Sequence, residues 1–273
     1  MRLHSGIPSR LDARHAPGYN VAMDDRWNLL AEGCGVTLRR LCAADRPAFV
    51  LAPVQATGGR PWVFYAPTFE GVYPTERQAW IFSHVLAAGI AVTGIDVGES
   101  FGNPRGRELF SAWHDHAVRV LGFARRPCLV PQSRGGLMLY TWAAEHPELV
   151  AGVAGIYTVG DLRSYPGLEK AAPAYGMSAA ELAARLADHN PVDRLEPLAR
   201  HGVPIWHLHG DADTYVPLEA NSGELVRRYR ALGGIAELVV VPGRGHEEHP
   251  DYFERQDVVD TVCGMALAGL TRP

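Results

Sequence analysis

Cys128-Leu129-Val130-Pro131-Gln132-Ser133-Arg134-Gly135-Gly136-Leu137 runs from an apolar triplet through a polar turn into a helix-forming stretch. Residues 128–130 read as a short buried strand and residues 135–145 as a helix. Pro131 ends the strand, having no N–H to donate, and Gly135 allows the returning backbone to pack closely. A serine at such a turn stands beside the first turn of a helix, where unpaired N–H groups and the positive dipole end suit a developing negative charge. Taken singly, S-R-G-G is a weak signal and more readily a plain turn.

The flanking sequence gives that turn its setting. Apolar runs with β-branched and aromatic residues occupy 36–43, 47–52, 62–66, 90–95, 150–157, 205–208 and 238–241. The first two read as an antiparallel pair. Between the rest lie helical patterns, among them 76–88 with Ala79, Ile81, Phe82, Val85 and Leu86 on one face, and 107–123 with Leu109, Phe110, Trp113, Val118 and Leu121. Further helices are predicted over 218–232 and 252–270. Alternating strands and helices of these lengths predict the α/β class: a mostly parallel eight-stranded sheet with helices on both faces. The chain of 273 residues reads as a single domain, with an N-terminal extension over 1–34. Residues 160–199 break the rhythm with a Pro/Gly/Tyr-rich loop and one short helix over 179–188. An insertion of this kind is expected to form a small lid over the sheet edge.

Two further stretches carry chemistry. His207-Leu208-His209-Gly210-Asp211-Ala212-Asp213-Thr214-Tyr215-Val216-Pro217 follows a predicted strand, so an acid stands on the loop at its end. The D-x-x-V-P register favours Asp213 to orient a histidine, with Asp211 the alternative. Val241-Pro242-Gly243-Arg244-Gly245-His246 follows the last strand, and the glycines permit a tight loop that turns His246 back. Each is a weak signal, since a loop acid also caps turns and a loop histidine also sits in solvent. Their order is the stronger signal: serine, acid, histidine, each just after a strand, is one of the known chain orders of a Ser-His-Asp triad.

The chain resembles the α/β-hydrolase superfamily, in particular its prolyl-oligopeptidase-like and dienelactone-hydrolase-like branch. Within it, the chain is similar to bacterial proteins with a G-R-P-W strand entry, an S-R-G-G-L elbow and a late D-[IL]-[KR]-S-[WY]-P-G segment. Here these are Gly59-Arg60-Pro61-Trp62, Ser133–Leu137 and Asp161-Leu162-Arg163-Ser164-Tyr165-Pro166-Gly167. The likeness covers roughly residues 35–268. It implies a serine nucleophile at Ser133, a general base at His246, an orienting acid at Asp213 and no cofactor. The oxyanion donors it implies are the backbone N–H groups of Arg134 and Thr68, with Phe69 the second choice to Thr68. The sequence departs from the pattern twice. Pro131 stands where the family has glycine, and Ala66-Pro67-Thr68-Phe69-Glu70-Gly71 replaces the His-Gly after the third strand.

Composition excludes other classes. Apolar residues at 47% and charged residues at 21% are ordinary for a globular chain, and a net charge of −4 without a basic stripe argues against nucleic acid as a partner. No apolar run reaches the ~18 residues of a membrane span. Residues 1–20 lack the apolar core of a signal peptide, so the chain as given is expected in the cytoplasm, or secreted if a leader has been removed. Cys34, Cys42, Cys128 and Cys263 show no CxxC spacing and read as reduced thiols, Cys34 and Cys42 being the pair an oxidising compartment would join. A homo-oligomer is compatible with all of this.

The remaining candidates have plainer readings beside them. His246-Glu247-Glu248-His249 lacks the four-residue histidine spacing of a zinc helix, so no metal is expected. His114 and His116 read as solvated, and one of His207 and His209 as packing beneath the site. Phe69, Glu70, Asp161 and Arg163 are candidate substrate contacts at a pocket mouth, or else a solvated loop. Tyr157, Tyr165 and Tyr175 are candidate stacking surfaces, and Trp142 reads as core.

The expected activity is serine hydrolysis, through an acyl-enzyme, of a carboxylic ester on a small or medium polar molecule such as an acylated carbohydrate. The alternatives are a serine peptidase of oligopeptidase type, and a catalytically inactive binding protein on the same fold.

Overall fold

In the computed structural model, which describes residues 25–69 and 74–271, a nine-residue helix α1 (Asp25–Gly33) precedes the sheet. It lies inside the segment read above as an extension, and it buries Trp27, Leu30 and Ala31. Residues 1–24 of that extension lie outside the described residues.

Strands β1 (Leu38–Ala43) and β2 (Arg46–Leu51) form the expected antiparallel pair. Their turn places Ala44 and Asp45 at φ 49° and 60°, the left-handed geometry that a two-residue hairpin needs to match strand twist. Next come β3 (Trp62–Ala66), α2 (Ala79–Ala87), β4 (Ala91–Ile95) and α3 (Pro104–Arg119). Helix α3 starts three residues before the apolar pattern suggests. The Asn103 side chain accepts the Gly106 N–H at 2.7 Å, and Pro104 opens the first turn. The chain continues through β5 (Cys128–Pro131), α4 (Gly135–Glu145) and β6 (Gly152–Ile156).

The eight strands lie in the order β1-β2-β4-β3-β5-β6-β7-β8, where β7 is Ile205–Gly210 and β8 is Ala236–Val241. Strands β3 to β8 pair with one another in parallel, and β2 pairs antiparallel with β4. Alternate residues on each strand face opposite layers, as the two-residue period requires. Trp62, Phe64 and Ala66 join one core with Trp113, Trp142 and Tyr229, and Val63 and Tyr65 join the other with Phe82, Val85 and Val262. Helices α3, α4 and α9 (Ser222–Ala231) therefore cover one face. Helices α1, α2 and α11 (Gln256–Ala268) cover the other.

The chain winds from β3 to β4 on one side and to β5 on the other, so the strand order reverses between β3 and β5. Loops leaving the carboxyl ends of these two strands diverge there, which opens a crevice in sheets of this kind.

The insertion between β6 and β7 contains no strand and four short helices: α5 (Leu168–Ala171), α6 (Ala179–Ala184), α7 (Leu186–His189) and α8 (Glu196–Arg200). The single helix predicted over 179–188 is broken at Arg185, which leaves helical geometry at φ −117° and ψ 21°. A third, smaller apolar cluster anchors the segment, with Leu162, Ala171, Ala172 and Leu182 packed on Phe101 and Leu137. The helix predicted over 252–270 also divides, into α10 (Pro250–Phe253) and α11. Among the described residues no helix is long and apolar enough to cross a membrane. All four cysteines are free thiols.

Candidate active site

The turn after β5 is held from both sides. The Gln132 N–H donates to the Ala66 carbonyl at 2.8 Å, and the Ser133 N–H donates to the Ile156 carbonyl at 3.0 Å. Ser133 adopts φ 50°, a conformation that residues other than glycine occupy at a cost and that recurs at functional turns. Close packing behind it depends on Gly135, where a Cβ would lie 2.0 Å from the Ala66 carbonyl oxygen. Pro131 fits as the last residue of β5, in register with Ala66. Its carbonyl accepts the Thr158 hydroxyl at 3.3 Å.

Ser133, Asp213 and His246 leave the carboxyl ends of β5, β7 and β8, and they meet. Ser133 Oγ lies 2.8 Å from His246 Nε2, and His246 Nδ1 lies 2.7 Å from Asp213 Oδ2. The other Asp213 oxygen accepts the N–H groups of Tyr215 at 3.0 Å and Val216 at 2.8 Å. Burial pushes the Asp213 carboxyl up. Hydrogen bonds from His209, His246 and the Val216 N–H outweigh that and hold it well below the ordinary carboxylate range. An ionised Asp213 accepts a hydrogen bond from Nδ1–H of His246, which leaves Nε2 as the acceptor for the Ser133 hydroxyl. Asp211, the alternative acid, instead accepts the Gly243 N–H at 2.6 Å and braces the loop that carries the histidine.

The imidazole has an aromatic wall. The Tyr157 ring lies 4.6 Å from that of His246, and Tyr215 lies 6.5 Å away on the exposed side. Tyr157 is thus buried under the histidine. Its hydroxyl accepts from Gln132 Nε2 at 2.7 Å, and Gln132 Oε1 accepts from the Tyr65 hydroxyl and from Gln78 Nε2. Gln78 also donates to Glu248, two residues beyond His246, at 3.2 Å. This buried amide network joins the serine turn to the histidine loop. Sequence reasoning missed Gln132 and Gln78 as members of the site. The one local signal was the position of Gln132 beside the serine.

The backbone N–H groups of Arg134 and Thr68 donate to no acceptor among the described residues, while those of Gly135 and Gly136 are used within the turn. The Arg134 guanidinium pairs with Glu99 at 2.6 Å and lies 5.5 Å from the Phe69 ring centroid. Burial raises the Glu99 carboxyl against the pull of Arg134 and Lys170. Asp161 and Arg163 pair with each other at 2.6 Å, and Asp161 also accepts from Asn190 in the insertion. Their contacts tie that loop together and do not reach Ser133 or His246. Glu70 lies outside the described residues.

Other histidines differ from expectation. His114 is buried, not solvated, with Nε2 2.7 Å from the Arg125 carbonyl and its ring between Trp62 and Trp142. Both His207 and His209 are fully buried. His249 accepts the Asp251 N–H at the start of α10, away from the serine. Among the described residues, no three His, Cys, Asp or Glu side chains cluster as a metal site would require.

No protein-family model matches the chain, and no curated protein matches it in sequence. Solved structures do match. A puromycin hydrolase superposes with a TM-score of 0.65 at 19% identity, over 87% of this chain and 40% of that one. Est1E from Butyrivibrio proteoclasticus superposes with a TM-score of 0.64 at 18% identity, over 86% of this chain and 99% of that one. TT1662 from Thermus thermophilus gives 0.61 at 18% identity, over 87% and 99%. The chain has the α/β-hydrolase fold. In that α/β-hydrolase frame, Ser133 occupies the strand-to-helix turn after the fifth strand, beside the crevice between β3 and β5. The chain spans about two fifths of the length of the puromycin hydrolase.

Proposed function

We propose that this protein is a serine hydrolase that cleaves a carboxylic ester of a small or medium polar molecule through an acyl-enzyme. One observation carries the reading: a serine in a left-handed turn at the sheet's carboxyl rim is hydrogen-bonded to a histidine that an ionised, buried aspartate orients.

His246 Nε2 takes the proton of Ser133 as Oγ attacks the ester carbon. The carbonyl oxygen becomes an oxyanion, held by the N–H groups of Arg134 and Thr68. Each such donor is worth about 2.7–4 kcal/mol of barrier. Asp213 keeps its charge and stabilises the imidazolium. Collapse breaks the bond to the alcohol oxygen, which leaves with the proton from His246. Water then attacks the acyl group, gives a proton to His246, and the acid departs as Ser133 recovers its own.

Charged groups beside the serine, Arg134 with Glu99, favour a polar substrate over a long acyl chain, since an apolar tail gains nothing there. The likeness to an acylaminoacyl peptidase keeps an amide-cleaving reading in the test. The assay is turnover of p-nitrophenyl acetate and butyrate, of acetylated and feruloylated sugars, and of proline-containing dipeptide amides. Ester turnover that vanishes in Ser133→Ala supports the proposal. Faster amide than ester turnover moves it to a peptidase, and turnover of neither removes it.

A further inference from the structure

Behind Asp213 runs a second chain of buried hydrogen bonds that the proposed reaction does not use. Tyr140 OH lies 2.7 Å from His207 Nε2, and His207 Nδ1 lies 2.9 Å from Ser222 Oγ. Ser222 Oγ lies 2.8 Å from His209 Nδ1, and His209 Nε2 lies 2.8 Å from the Val216 carbonyl and 3.3 Å from Asp213 Oδ2. All four of these side chains are essentially sealed from solvent. They come from α4, β7 and α9, so three elements were brought together to build the chain. Room for it is made at Gly155, where a Cβ would lie 2.8 Å from the His207 ring.

The protons in this chain follow from its ends. A backbone carbonyl and a carboxylate only accept, so His209 Nε2 carries a proton. In a neutral ring Nδ1 then accepts, and Ser222 must spend its single hydroxyl proton on it. His207 Nδ1 therefore donates to Ser222, and His207 Nε2 accepts from Tyr140. Every donor is used once and no ring needs a charge. Burial agrees for His207, pulling it down to about 3 and keeping it neutral. A doubly protonated His209 would reverse the chain and leave the Tyr140 proton without an acceptor in it.

We propose that His209 is a positioning residue for Asp213: its Nε2–H, fixed in that tautomer by Ser222, His207 and Tyr140, shares the Oδ2 that accepts the His246 Nδ1–H hydrogen bond and so sets how strongly Asp213 pulls on the imidazole. Sharing that oxygen weakens it as an acceptor. Removing His209 leaves Asp213 Oδ2 to His246 alone, stabilises the imidazolium, and makes His246 harder to deprotonate. The acid limb of the rate profile then moves to higher pH. The other groups facing this centre stay in place across the variants. They are Asp211 and Tyr215 after β7, Arg244, Glu247 and Glu248 after β8, Tyr252 on α10, and Tyr157 after β6.

The inference rests on the serine-hydrolase reading for its kinetic arm, and a second arm is independent of activity. In nitrogen-15 histidine spectra of the wild type, His209 is expected as the neutral Nε2–H tautomer, and Ser222→Ala is expected to mix its tautomers. A wild-type His209 that is charged at pH 7, or protonated on Nδ1 alone, overturns the inference whether or not any ester is cleaved. In the kinetic arm, kcat/KM for p-nitrophenyl butyrate is measured against pH for His209→Leu, His209→Gln and Ser222→Ala. His209→Leu should raise the acid-limb pKa and, because Asp213 Oδ2 is no longer held in line with the imidazole, lose about tenfold in kcat at unchanged KM. His209→Gln, which returns an N–H near the Nε2 position, should recover most of both. A glutamine no better than leucine, or a rate loss with an unmoved acid limb, reduces His209 to packing. Should His209→Leu fail to fold, Ser222→Ala carries the same comparison.

Discussion

The ring of Tyr157 lies 4.6 Å from that of His246, and Tyr157 N–H is itself fixed at 2.7 Å to the Leu208 carbonyl. The general base proposed for this site therefore rests on a wall that belongs to the sheet. Tyr157→Leu removes the flat surface without adding bulk, and kcat for ester hydrolysis is expected to fall ten- to a hundredfold. Tyr157→Phe keeps the ring and loses the bond from Gln132, so it should stay within a few-fold of the wild type. Equal losses in the two would place the effect on the amide network.

The two candidate acids are separable. Asp213→Asn leaves the shape and removes the charge, and a loss of about 10⁴-fold in kcat is expected, the size that breaking this contact reaches in such triads. Asp211→Asn keeps an oxygen for the Gly243 N–H, makes no contact with His246, and should change kcat by less than about threefold. Comparable losses from both would contradict the roles assigned here.

Gly135 tests the turn as structure. An added methyl would have to move the end of β3, because its nearest neighbour is backbone and not a flexible side chain. Gly135→Ala should cost roughly 1–3 kcal/mol or more in urea unfolding. A neutral substitution would show that the helix is not pressed on the strand as described.

His207 makes stability depend on pH in a defined direction. Its folded pKa is about 3 against 6.5 in an unfolded chain. The unfolded state therefore gains a proton near pH 6.5 that the folded state refuses until about pH 3. The stability held by neutral His207 is complete above pH 6.5 and is lost as pH falls toward 3, by up to about 1.4 kcal/mol per unit. Denaturation of the wild type and His207→Gln between pH 7 and 4 should show the smaller slope in the variant. Equal slopes would mean that His207 is charged in the fold.

Strands were legible in the sequence because β-branched and aromatic runs between turn residues have few other uses. The serine, acid and histidine were legible because each follows such a run. What was not legible depended on partners distant in sequence. His114 sits on a helix whose polar pattern suggests solvent, yet two tryptophans and the Arg125 carbonyl enclose it. The apolar face of Trp27, Leu30 and Ala31 was too short to stand out from the extension around it. The chain between α10 and α11 breaks at Glu254 and Arg255, where both residues leave helical geometry inside a stretch whose periodicity runs on. Of the Tyr140–His207–Ser222–His209 chain the sequence offered only a β7 histidine packing beneath the site, since its members come from three separate elements.

The most direct measurement is mass spectrometry of the intact protein and its peptides after treatment with a fluorophosphonate. A nucleophilic serine activated by His246 should form one phosphonyl adduct, on the peptide containing Ser133, and Ser133→Ala should form none while p-nitrophenyl butyrate turnover disappears with it. An unmodified Ser133 in folded wild-type protein, or ester turnover that survives the substitution, would contradict the account.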